Sequence, residues 1–405
     1  MLSCFAPLLN KFFPATLLYR ALFIALTISG LASSCYLCVA HYRNFNDITY
    51  KSFCAISRSL NCDTVAQSPY ALLLNVPVAA WGILGYLFFL ALVLVFKPKG
   101  SMFPGAALLC LTASLFSLAS IALALISILY IHSYCLVCLI IYGINFTLLL
   151  VTWMAQGRFG KGSFQATLRH DTTHLQKEKK QLFIIIIISL AFAFAGIFYY
   201  PRYWLLKPLP QNSKVEYGVT DDGSPWIGAQ QPTLIITEYA DYLCFQCSKM
   251  HDHLRRLVNQ YPNQIRLIHR HFPLDNRVNP AAKETVHPNA GLLALFAIMA
   301  QEQNLFWPVN DALFREARAK QTINFSAIAK ETGLDISRFK EKLNDSTLHR
   351  KLAEDVHSGI ARNIIATPSY VVDGKLYSGT LPEHVFSSVF KNNSMRGSKG
   401  QGTAR

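Results

Sequence analysis

Long apolar stretches without a charged residue dominate the first half of the chain. Each is long enough to cross about 30 Å of hydrocarbon, which takes about 20 helical residues. They lie at Ala21–Ala40, Val76–Phe96, Met102–Ile131, Ser133–Gly157 and Leu182–Tyr200. Buried helices of a large soluble protein rarely run this far without charge. The pattern therefore predicts five transmembrane helices, although the small residues Ala32–Ser34 leave a cleaved signal peptide as an alternative for the first.

Beyond Tyr200 the pattern changes to that of a soluble α/β domain. A polar stretch at residues 201–230, rich in Pro, Gly and Asp, is typical of a linker. Short apolar runs then predict strands and helices. The strands are expected at Thr233–Tyr239, Ile265–Phe272, Ser369–Val372 and Lys375–Ser378, and the helices near Phe245–Gln260, within Pro288–Leu352 and at Leu381–Lys391. Residues 392–405 follow no such pattern and are predicted to be a disordered tail.

Composition and charge favour a membrane protein. Of the 405 residues, 52% are hydrophobic and 15% are charged, whereas about 25% are charged in soluble domains. The net charge of +15 suits nucleic-acid binding as well, so the position of the charges decides. Lys and Arg cluster in the turn Lys97–Lys99 and in residues 158–181, as they do in cytoplasmic loops. We therefore expect a cytoplasmic N-terminus, no nucleic-acid partner, and everything after Tyr200 on the outer side.

Eight of the ten cysteines form four pairs that this topology places at or beyond the outer membrane face. The pairs are Cys35 with Cys38, Cys54 with Cys62, Cys135 with Cys138, and Cys244 with Cys247. Such compartments oxidise thiols. Three of the pairs have the C-x-x-C spacing, which closes a small disulfide loop and can lower the pKa of one thiol. No role is assigned to the Cys35 and Cys38 pair.

The Cys135-Leu-Val-Cys138 motif opens the fourth predicted span. At 100° per residue, Cys135, Cys138, Tyr142 and Asn145 share one helix face. The partial positive charge of a helix N-terminus stabilises a thiolate, so this pair is predicted to be redox-active. A structural disulfide is the alternative, but joining adjacent helical residues restrains little of the unfolded chain.

Cys54 and Cys62 lie in the outer connection between the first two spans. A structural clip of this loop is one interpretation. The other is a mobile dithiol that passes electrons to the membrane C-x-x-C by exchange.

The Cys244-Phe-Gln-Cys247 motif follows a predicted strand and begins a helix, which is typical of a thioredoxin-like site. Glu238, six residues earlier, is expected to be a buried carboxylate that takes a proton from the second thiol, unless it faces solvent. Thr367-Pro368, just before a strand, is the expected position of a cis-proline against the disulfide, with a trans turn proline as the alternative.

Metal binding is the competing interpretation of paired C-x-x-C motifs, because zinc sites use two of them. The pairs are divided between the membrane and soluble parts, and the histidines near them do not complete a ligand set. We therefore predict no metal. These histidines are expected at surfaces or interfaces: His41, His132, His251 and His253.

Two groups of residues resemble known families. Residues 129–145, with Cys54-x7-Cys62-Asp63 and Ser68-Pro-Tyr-Ala71, resemble the vitamin K epoxide reductase family over about residues 15–156. A second group resembles a DsbA-type thioredoxin domain with a helical insertion: Glu238–Cys247, His271–Asp275, Phe306–Trp307 and Thr367–Pro368. The whole chain resembles the bacterial fusion of these two modules.

The resemblance implies a membrane α-helical four-helix bundle plus one linking transmembrane helix, followed by an α/β thioredoxin-fold domain with a helical insertion. It implies that the bundle binds a quinone, ubiquinone or menaquinone. Cys138 matches the cysteine facing the quinone, and Cys135 the one attacked by the loop pair. Ser68 and Tyr142 match polar positions near the quinone, and Asn145 is a further expected quinone contact.

The sequence departs from the family patterns at two points. Val78 stands nearest to the position where the family has a quinone-contacting Asn. Phe245 and Gln246 separate the soluble cysteines, and such middle residues help to set the reduction potential. A strongly oxidising potential therefore does not follow from the resemblance.

The predicted organisation assigns each segment to one side of the membrane. It has a four-span domain at residues 15–156, a basic cytoplasmic loop at 157–181, a fifth transmembrane helix at 182–200, a linker at 201–230, a DsbA-like domain at 231–391 and a tail at 392–405. Four spans that begin in the cytoplasm also end there. The fifth span returns the redox domain to the side of Cys135.

The predicted function is a quinone-dependent thiol oxidase of the bacterial inner membrane, with its thioredoxin-like domain in the periplasm. Reduced secreted or periplasmic client proteins would pass electrons to Cys244 and Cys247, then to Cys54 and Cys62, and then to the membrane pair and the quinone. The alternatives are a disulfide isomerase or reductase, a tethered binding module whose cysteines are structural, and a reductase of vitamin K epoxide.

Overall fold

The structure is a computed structural model. It describes residues 15–57, 59–97, 103–160, 164–177, 179–206, 215–319, 323–337, 339–343, 345–387 and 389. The chain divides into two compact units, Met1–Arg202 and Tyr203–Arg405. The predicted tail at residues 392–405 lies outside the described residues.

The first unit is helical, and its described part contains five helices long and apolar enough to cross a membrane. They are α1 (Ala15–Asn46), α3 (Val78–Val95), α4 (Ala106–Ile126, continued by a π turn at Ser127–Ile131), α5 (Leu136–Phe159) and α7 (Lys179–Tyr199). The prediction of five apolar helices is confirmed. Short elements join α1 to α3: α2 (Cys62–Gln67), a 3-10 turn (Pro69–Ala71), β1 (Leu72–Leu73) and β2 (Val76–Pro77).

Four of the long helices pack around one aromatic and aliphatic core. Phe23 of α1, Phe89 of α3, Leu109 of α4 and Leu148 of α5 are all fully buried within it. The helix α7 contacts α3, but its most apolar stretch buries no residue within the protein. The unit is therefore a four-helix bundle with a fifth apolar helix at its side.

The segment predicted as a basic loop, residues 157–181, is mostly helical. It holds the end of α5, the helix α6 (Phe164–Lys177) and the start of α7. Gln, Leu, Arg and Lys, which favour helices, are frequent in it. Asp171 of α6 is buried and accepts hydrogen bonds from the backbone N–H groups of Gly105 (2.9 Å) and Ala107 (3.0 Å). This carboxylate caps the N-terminus of α4.

The second unit is built on a six-stranded sheet. Its strands are β3 (Glu216–Val219), β4 (Pro225–Gly228), β5 (Leu234–Ala240), β6 (Ile265–His271), β7 (Ser369–Val372) and β8 (Lys375–Ser378). The strand order is β3-β4-β6-β5-β7-β8. The pair β5 and β6 is parallel and the other neighbours are antiparallel.

Helices cover this sheet. The helix α8 (Phe245–Gln260) follows β5. Among the described residues between β6 and β7 there are five helices: α9 (Ala290–Glu302), α10 (Phe306–Ala319), α11 (Phe325–Thr332), α12 (Phe339–Lys342) and α13 (Ser346–Ile360). A 3-10 turn at Glu383–Phe386 follows β8. The predicted fold class, a helical membrane unit followed by a thioredoxin fold with a helical insertion, is confirmed.

The prediction of a linker at residues 201–230 is wrong for the second half of that segment, because β3 and β4 form a hairpin there. The polar run Asp221-Asp222-Gly223 is the turn of this hairpin, and Gly223 adopts the left-handed conformation, with φ of 76°, that glycine permits. The β4 strand then pairs with β6. The sheet of the second unit therefore starts at Glu216 and not after residue 230.

Asp171→Ala is expected to destabilise the bundle by about 1–2 kcal/mol, because two N–H groups at the start of α4 lose their acceptor and the helix dipole loses a favourable charge. Thermal unfolding in detergent measures this loss. Gln165→Ala, an exposed position on the same helix, is the matched control. Equal unfolding temperatures for the two variants would contradict the capping role.

Candidate functional site

The first unit holds two disulfides in one buried cluster. Cys54 is bonded to Cys62 and Cys135 to Cys138, with Cα–Cα distances of 5.6 Å and 5.1 Å. Cys54, Cys62 and Cys135 are buried, and Cys138 packs against them half-buried. The structure thus brings together the loop pair and the membrane pair named in the sequence analysis.

Backbone hydrogen bonds hold the loop against the segment that precedes α5. The N–H of Asn61 donates to the carbonyl of Tyr134 (2.8 Å), and the N–H of Tyr134 donates to the carbonyl of Ser59 (2.7 Å). Tyr134 is the residue directly before Cys135. These bonds fix the Cys54–Cys62 disulfide beside the start of the fourth apolar helix.

Polar side chains anchor the same loop to α1. The side chain of Asn61 caps α2 by accepting from the N–H groups of Asp63 and Thr64. The Asp63 carboxylate accepts from Asn44 of α1 (3.1 Å) and from the N–H of Ser52 (3.1 Å). The sequence analysis assigned no role to Asn61 or Asn44. An Asn directly before a short helix was the available signal for the cap.

Cys135 stands at the N-cap of α5, and its Sγ accepts a hydrogen bond from the N–H of Cys138 (3.2 Å). The helix macrodipole adds a positive field at this sulfur. The cysteine pair therefore lies where a helix stabilises negative charge on the first sulfur.

The predicted quinone contacts lie further along α5. Asn145 is buried: its Oδ1 accepts from Tyr86 of α3 (2.7 Å), and its Nδ2 donates to Ser120 of α4 (2.9 Å). Tyr142 is half-buried. Ser68 donates to the carbonyl of Val65 (2.8 Å) and so closes the end of α2. Asn145 thus ties three helices together.

These residues fit a quinone by their chemistry. Tyr142 and Asn145 share the helix face of Cys138, and a hydroxyl and an amide N–H are donors for quinone carbonyl oxygens. Asn145 keeps one amide hydrogen beyond its bond to Ser120.

In the second unit, Cys244 and Cys247 are free, buried thiols at the start of α8. Cys244 is the N-cap, and its Sγ accepts from the N–H of Cys247 (3.2 Å), the same arrangement as at Cys135. The Cys244 thiol also lies 3.5 Å from the carbonyl oxygen of Thr367. The Thr367–Pro368 bond is cis. The structure thus places the predicted cis-proline segment against the thiol pair.

The two thiols have opposite pKa shifts. Burial alone would raise the pKa of Cys244, but hydrogen bonds from Cys247 and the charge of His287 outweigh burial and lower it. Burial and the neighbouring Cys244 raise the pKa of Cys247 well above its usual value. Cys244 is therefore the thiol that loses its proton more readily, and Cys247 is the one that holds its proton.

His287 and Asp241 form an ion pair beside Cys244 that the sequence analysis missed. His287 Nδ1 lies 2.9 Å from Asp241 Oδ2, and the backbone carbonyl of Asp241 accepts from the N–H of Cys244 (3.1 Å). Burial alone would lower the pKa of His287, but Asp241 outweighs burial and raises it. The two residues are 46 positions apart, so no local pattern could reveal the pair.

Glu238 is a buried carboxylate on β5, at 1% exposure, and not a solvent-facing one. His269 Nδ1 lies 2.7 Å from its Oε1, and His251 Nδ1 lies 3.6 Å from the same oxygen. Burial alone would raise the pKa of Glu238, but the two imidazoles outweigh burial and lower it to about 2. The carboxylate is thus held ionised within a cluster of histidines.

Two of the histidines expected at surfaces or interfaces, His251 and His41, are buried, at 2% and 3% exposure. His251 is buried because it lies on the sheet-facing side of α8, where it meets Glu238. His41 lies within α1 and stacks near Phe45.

The remaining cysteine pair does not belong to the disulfide cluster, although Tyr36 and Leu37 between its two members pack against that cluster. Cys35 is exposed, and Cys38 is half-buried with its Sγ 3.5 Å from the hydroxyl of Tyr200. Among the described residues, no group of three or more His, Cys, Asp or Glu side chains is arranged to hold a metal ion.

Several known proteins are similar to parts of this chain. One relative is the Na(+)/H(+) antiporter NhaA 3 of Salinispora tropica, 29% identical over 152 residues, which are 38% of this chain and 22% of that protein. Another is the Na(+)/H(+) antiporter NhaA of Herminiimonas arsenicoxydans, 26% identical over 43% of this chain and 26% of that protein. The chain thus spans about a quarter of the length of these curated relatives.

Two solved structures resemble part of the chain. A thioredoxin-like oxidoreductase from Silicibacter pomeroyi is 19% identical, with a TM-score of 0.34, over 43% of this chain and 94% of that chain. The α-DsbA1 of Wolbachia pipientis is 22% identical, with a TM-score of 0.34, over 46% of this chain and 92% of that chain.

Family models assign both halves. Residues 21–153 match the model of the vitamin K epoxide reductase family, and residues 220–392 match a thioredoxin model. The resemblance identified from the sequence is thereby confirmed for each half. One segment of the chain thus matches the vitamin K epoxide reductase family, and a second segment matches a thioredoxin domain.

Proposed function

We propose that this protein is a thiol-disulfide oxidoreductase of the membrane that generates protein disulfides and uses a quinone as the electron acceptor. The observation that carries the proposal is the packing of the Cys54–Cys62 and Cys135–Cys138 disulfides into one buried cluster. Disulfide exchange needs sulfur atoms within reach of each other. A second thiol pair with a lowered pKa at Cys244 supplies the entry point for electrons.

The thioredoxin domain would accept electrons from a client dithiol. A client thiolate attacks the Cys244 sulfur of the oxidised pair, the Cys244–Cys247 bond breaks, and Cys247 leaves and takes a proton. The second client thiolate then attacks the client sulfur of the mixed disulfide and releases Cys244 as a thiolate. The client gains a disulfide, and Cys244 and Cys247 gain two electrons.

The loop pair would then carry the electrons to the membrane pair. The Cys244 thiolate attacks the Cys54–Cys62 disulfide, and Cys247 resolves the mixed disulfide. The reduced loop pair in turn reduces Cys135–Cys138, which packs against it. Each step exchanges one disulfide for another, so the pairs alone produce no net oxidation.

A bound quinone, ubiquinone or menaquinone, would supply the terminal two-electron acceptor. Tyr142 and Asn145 would hold it by donating to its carbonyl oxygens. Cys138 lies on the same helix face. Ser68, Thr367 and Pro368 would support the reactive pairs by positioning the loop and the thiols, and Glu238 would take a proton from Cys247.

The proposed topology follows from the distribution of Lys and Arg. It places the N-terminus in the cytoplasm, the disulfide cluster and the thioredoxin domain in the periplasm, and the protein in a bacterial inner membrane. Reduced secreted or periplasmic proteins would be the clients. The proposed domains are those of the sequence analysis, with the thioredoxin domain extended to begin at Glu216.

Cys138→Ser is expected to abolish quinone reduction by the purified protein supplied with a reduced unfolded substrate, because the membrane pair can no longer cycle. Quinol formation, followed by absorbance, measures this. Cys110→Ser, a buried cysteine of α4 outside the four pairs, is the control and should retain activity. If the wild type exchanges disulfides but reduces no quinone, the isomerase or reductase function replaces the oxidase.

Cys247→Ser is expected to trap Cys244 in a mixed disulfide with Cys54 or Cys62, because the resolving thiol is missing. Mass spectrometry of disulfide-linked peptides identifies the partner. The double variant that also carries Cys244→Ser should give no adduct. An adduct with Cys35 or Cys38 alone would contradict the proposed order of the pairs.

His287→Gln is expected to raise the pKa of the Cys244 thiol, because the cation that stabilises the thiolate is lost. At a pH below this pKa the thiolate fraction falls, so alkylation by iodoacetamide becomes several-fold slower, and its pH profile moves to higher pH. His357→Gln, an exposed position on α13, is the control. Superimposable profiles for the two variants would show that His287 does not act on Cys244.

A further inference from the structure

A row of ionisable side chains leads from Glu238 toward the surface of the thioredoxin domain. His251 Nδ1 faces Glu238 at 3.6 Å, and His251 Nε2 lies 2.7 Å from Asp311 Oδ1. Asp311 also binds Arg255 through both oxygens, at 2.9 Å and 2.8 Å. The His251 side chain is 2% exposed, whereas that of Asp311 is 20% exposed. One imidazole thus stands between a buried carboxylate and one that water reaches.

Cys247 needs a route for its proton. The thiol is 1% exposed, and burial raises its pKa, so it is protonated between reaction cycles and must lose the proton when it attacks. Cys247 and His251 are four residues apart on α8 and therefore lie on one helix face. That face meets β5 at Glu238.

We propose that His251 relays protons between the buried Glu238 and the solvent-accessible Asp311 as Cys247 gains or loses its proton. Because His251 acts on Cys247 through Glu238, it is a positioning residue. The proposal rests on thiol exchange at the Cys244 and Cys247 pair. It does not depend on the quinone.

The proton and electron balance is the same in both directions. During re-oxidation, Cys247 passes its proton to Glu238, and the resulting thiolate attacks Cys244. The bond between Cys244 and its partner sulfur breaks, the Cys244–Cys247 bond forms, and the partner leaves as a thiolate. His251 takes the proton from Glu238 at Nδ1 and releases another from Nε2 to Asp311 and water. During reduction, the proton travels inward to the departing Cys247.

The 3.6 Å separation between His251 Nδ1 and Glu238 is longer than a hydrogen bond. Catalytic contacts of this kind often shorten only in the reacting complex. Burial alone would lower the pKa of His251, but Asp311 and Glu238 outweigh burial and raise it. The two carboxylates thus favour the protonated form of the imidazole that stands between them.

His269 cannot serve as the same route. Its Nδ1 contacts Glu238 at 2.7 Å, but its Nε2 is buried and has no hydrogen-bond partner among the described residues. The neighbouring His271 is also buried, and neither of its ring nitrogens has a partner within that same described part of the chain. A proton that reached His269 would meet no second carboxylate within hydrogen-bond reach in the part of the domain that the structure describes. His251 therefore connects Glu238 to a carboxylate that water reaches, and His269 does not.

The test measures single-turnover exchange between the oxidised full-length protein and a reduced dithiol peptide, with no quinone added. Acid quenching and mass spectrometry follow the appearance of the Cys247 thiol and, in the reverse direction, the resolution of the mixed disulfide. His251→Gln is expected to slow both by about tenfold or more at pH 7. The remaining rate should rise with pH, because hydroxide must then replace the relay.

His253→Gln, on the same helix and outside the row of side chains, is the matched control and should keep the wild-type rate and pH profile. A second variant separates packing from proton transfer. His251→Ala should be rescued by added imidazole, which is basic near neutral pH. Pyrazole, a ring of the same size that is not basic there, should give no rescue.

Wild-type rates and pH dependence in His251→Gln would overturn the proposal. Equal rescue of His251→Ala by imidazole and pyrazole would also overturn it, because the ring would then act only by filling space. Absence of any exchange in the wild-type protein would instead contradict the proposed function, so the two failures are distinguishable.

Discussion

The hydrogen bond from a backbone N–H to a cysteine sulfur at the start of a helix is the interaction on which both proposed redox centres depend. Cys135 and Cys244 occupy N-cap positions in two unrelated folds, and each sulfur accepts from the cysteine three residues later. The bond links the backbone N–H of the second cysteine to the sulfur of the first, and it holds that sulfur at the positive end of the helix dipole. The rest of each domain serves to bring a partner to that sulfur: a loop disulfide in the membrane unit and a cis-proline segment in the thioredoxin domain.

Features that depend on composition or on local spacing could be predicted from the sequence. The five apolar helices could be predicted because an uncharged stretch of about 20 residues is a local feature of the sequence. The C-x-x-C motifs at Cys135 and Cys244 could be predicted as helix starts because their spacing is local as well. The β3 and β4 strands were missed because the turn between them, Asp221-Asp222-Gly223, has the composition of a linker, whereas the equally short β7 and β8 were predicted. A short hairpin at the edge of a sheet is specified by its neighbour β6, which a local pattern does not contain.

Long-range ion pairs account for most of the missed functional residues. His251 meets Asp311 across 60 positions and His287 meets Asp241 across 46. Each residue alone has the pattern of an ordinary surface position, and only the packing of helices on the sheet turns it into a member of a buried network. Burial then changes the chemistry, because a charge without a partner is costly in the protein interior.

The contact between Cys38 and Tyr200 fixes where the tether to the thioredoxin domain begins. Cys38 follows Leu37, which packs against the disulfide cluster, so the tether leaves from the rim of the site that the domain would serve. The chain from Tyr200 to Glu216 reaches at most roughly 55 Å. A covalent tether of this reach corresponds to an effective concentration on the order of millimolar. The proposed electron transfer between the halves would then be a first-order event whose rate does not change with dilution.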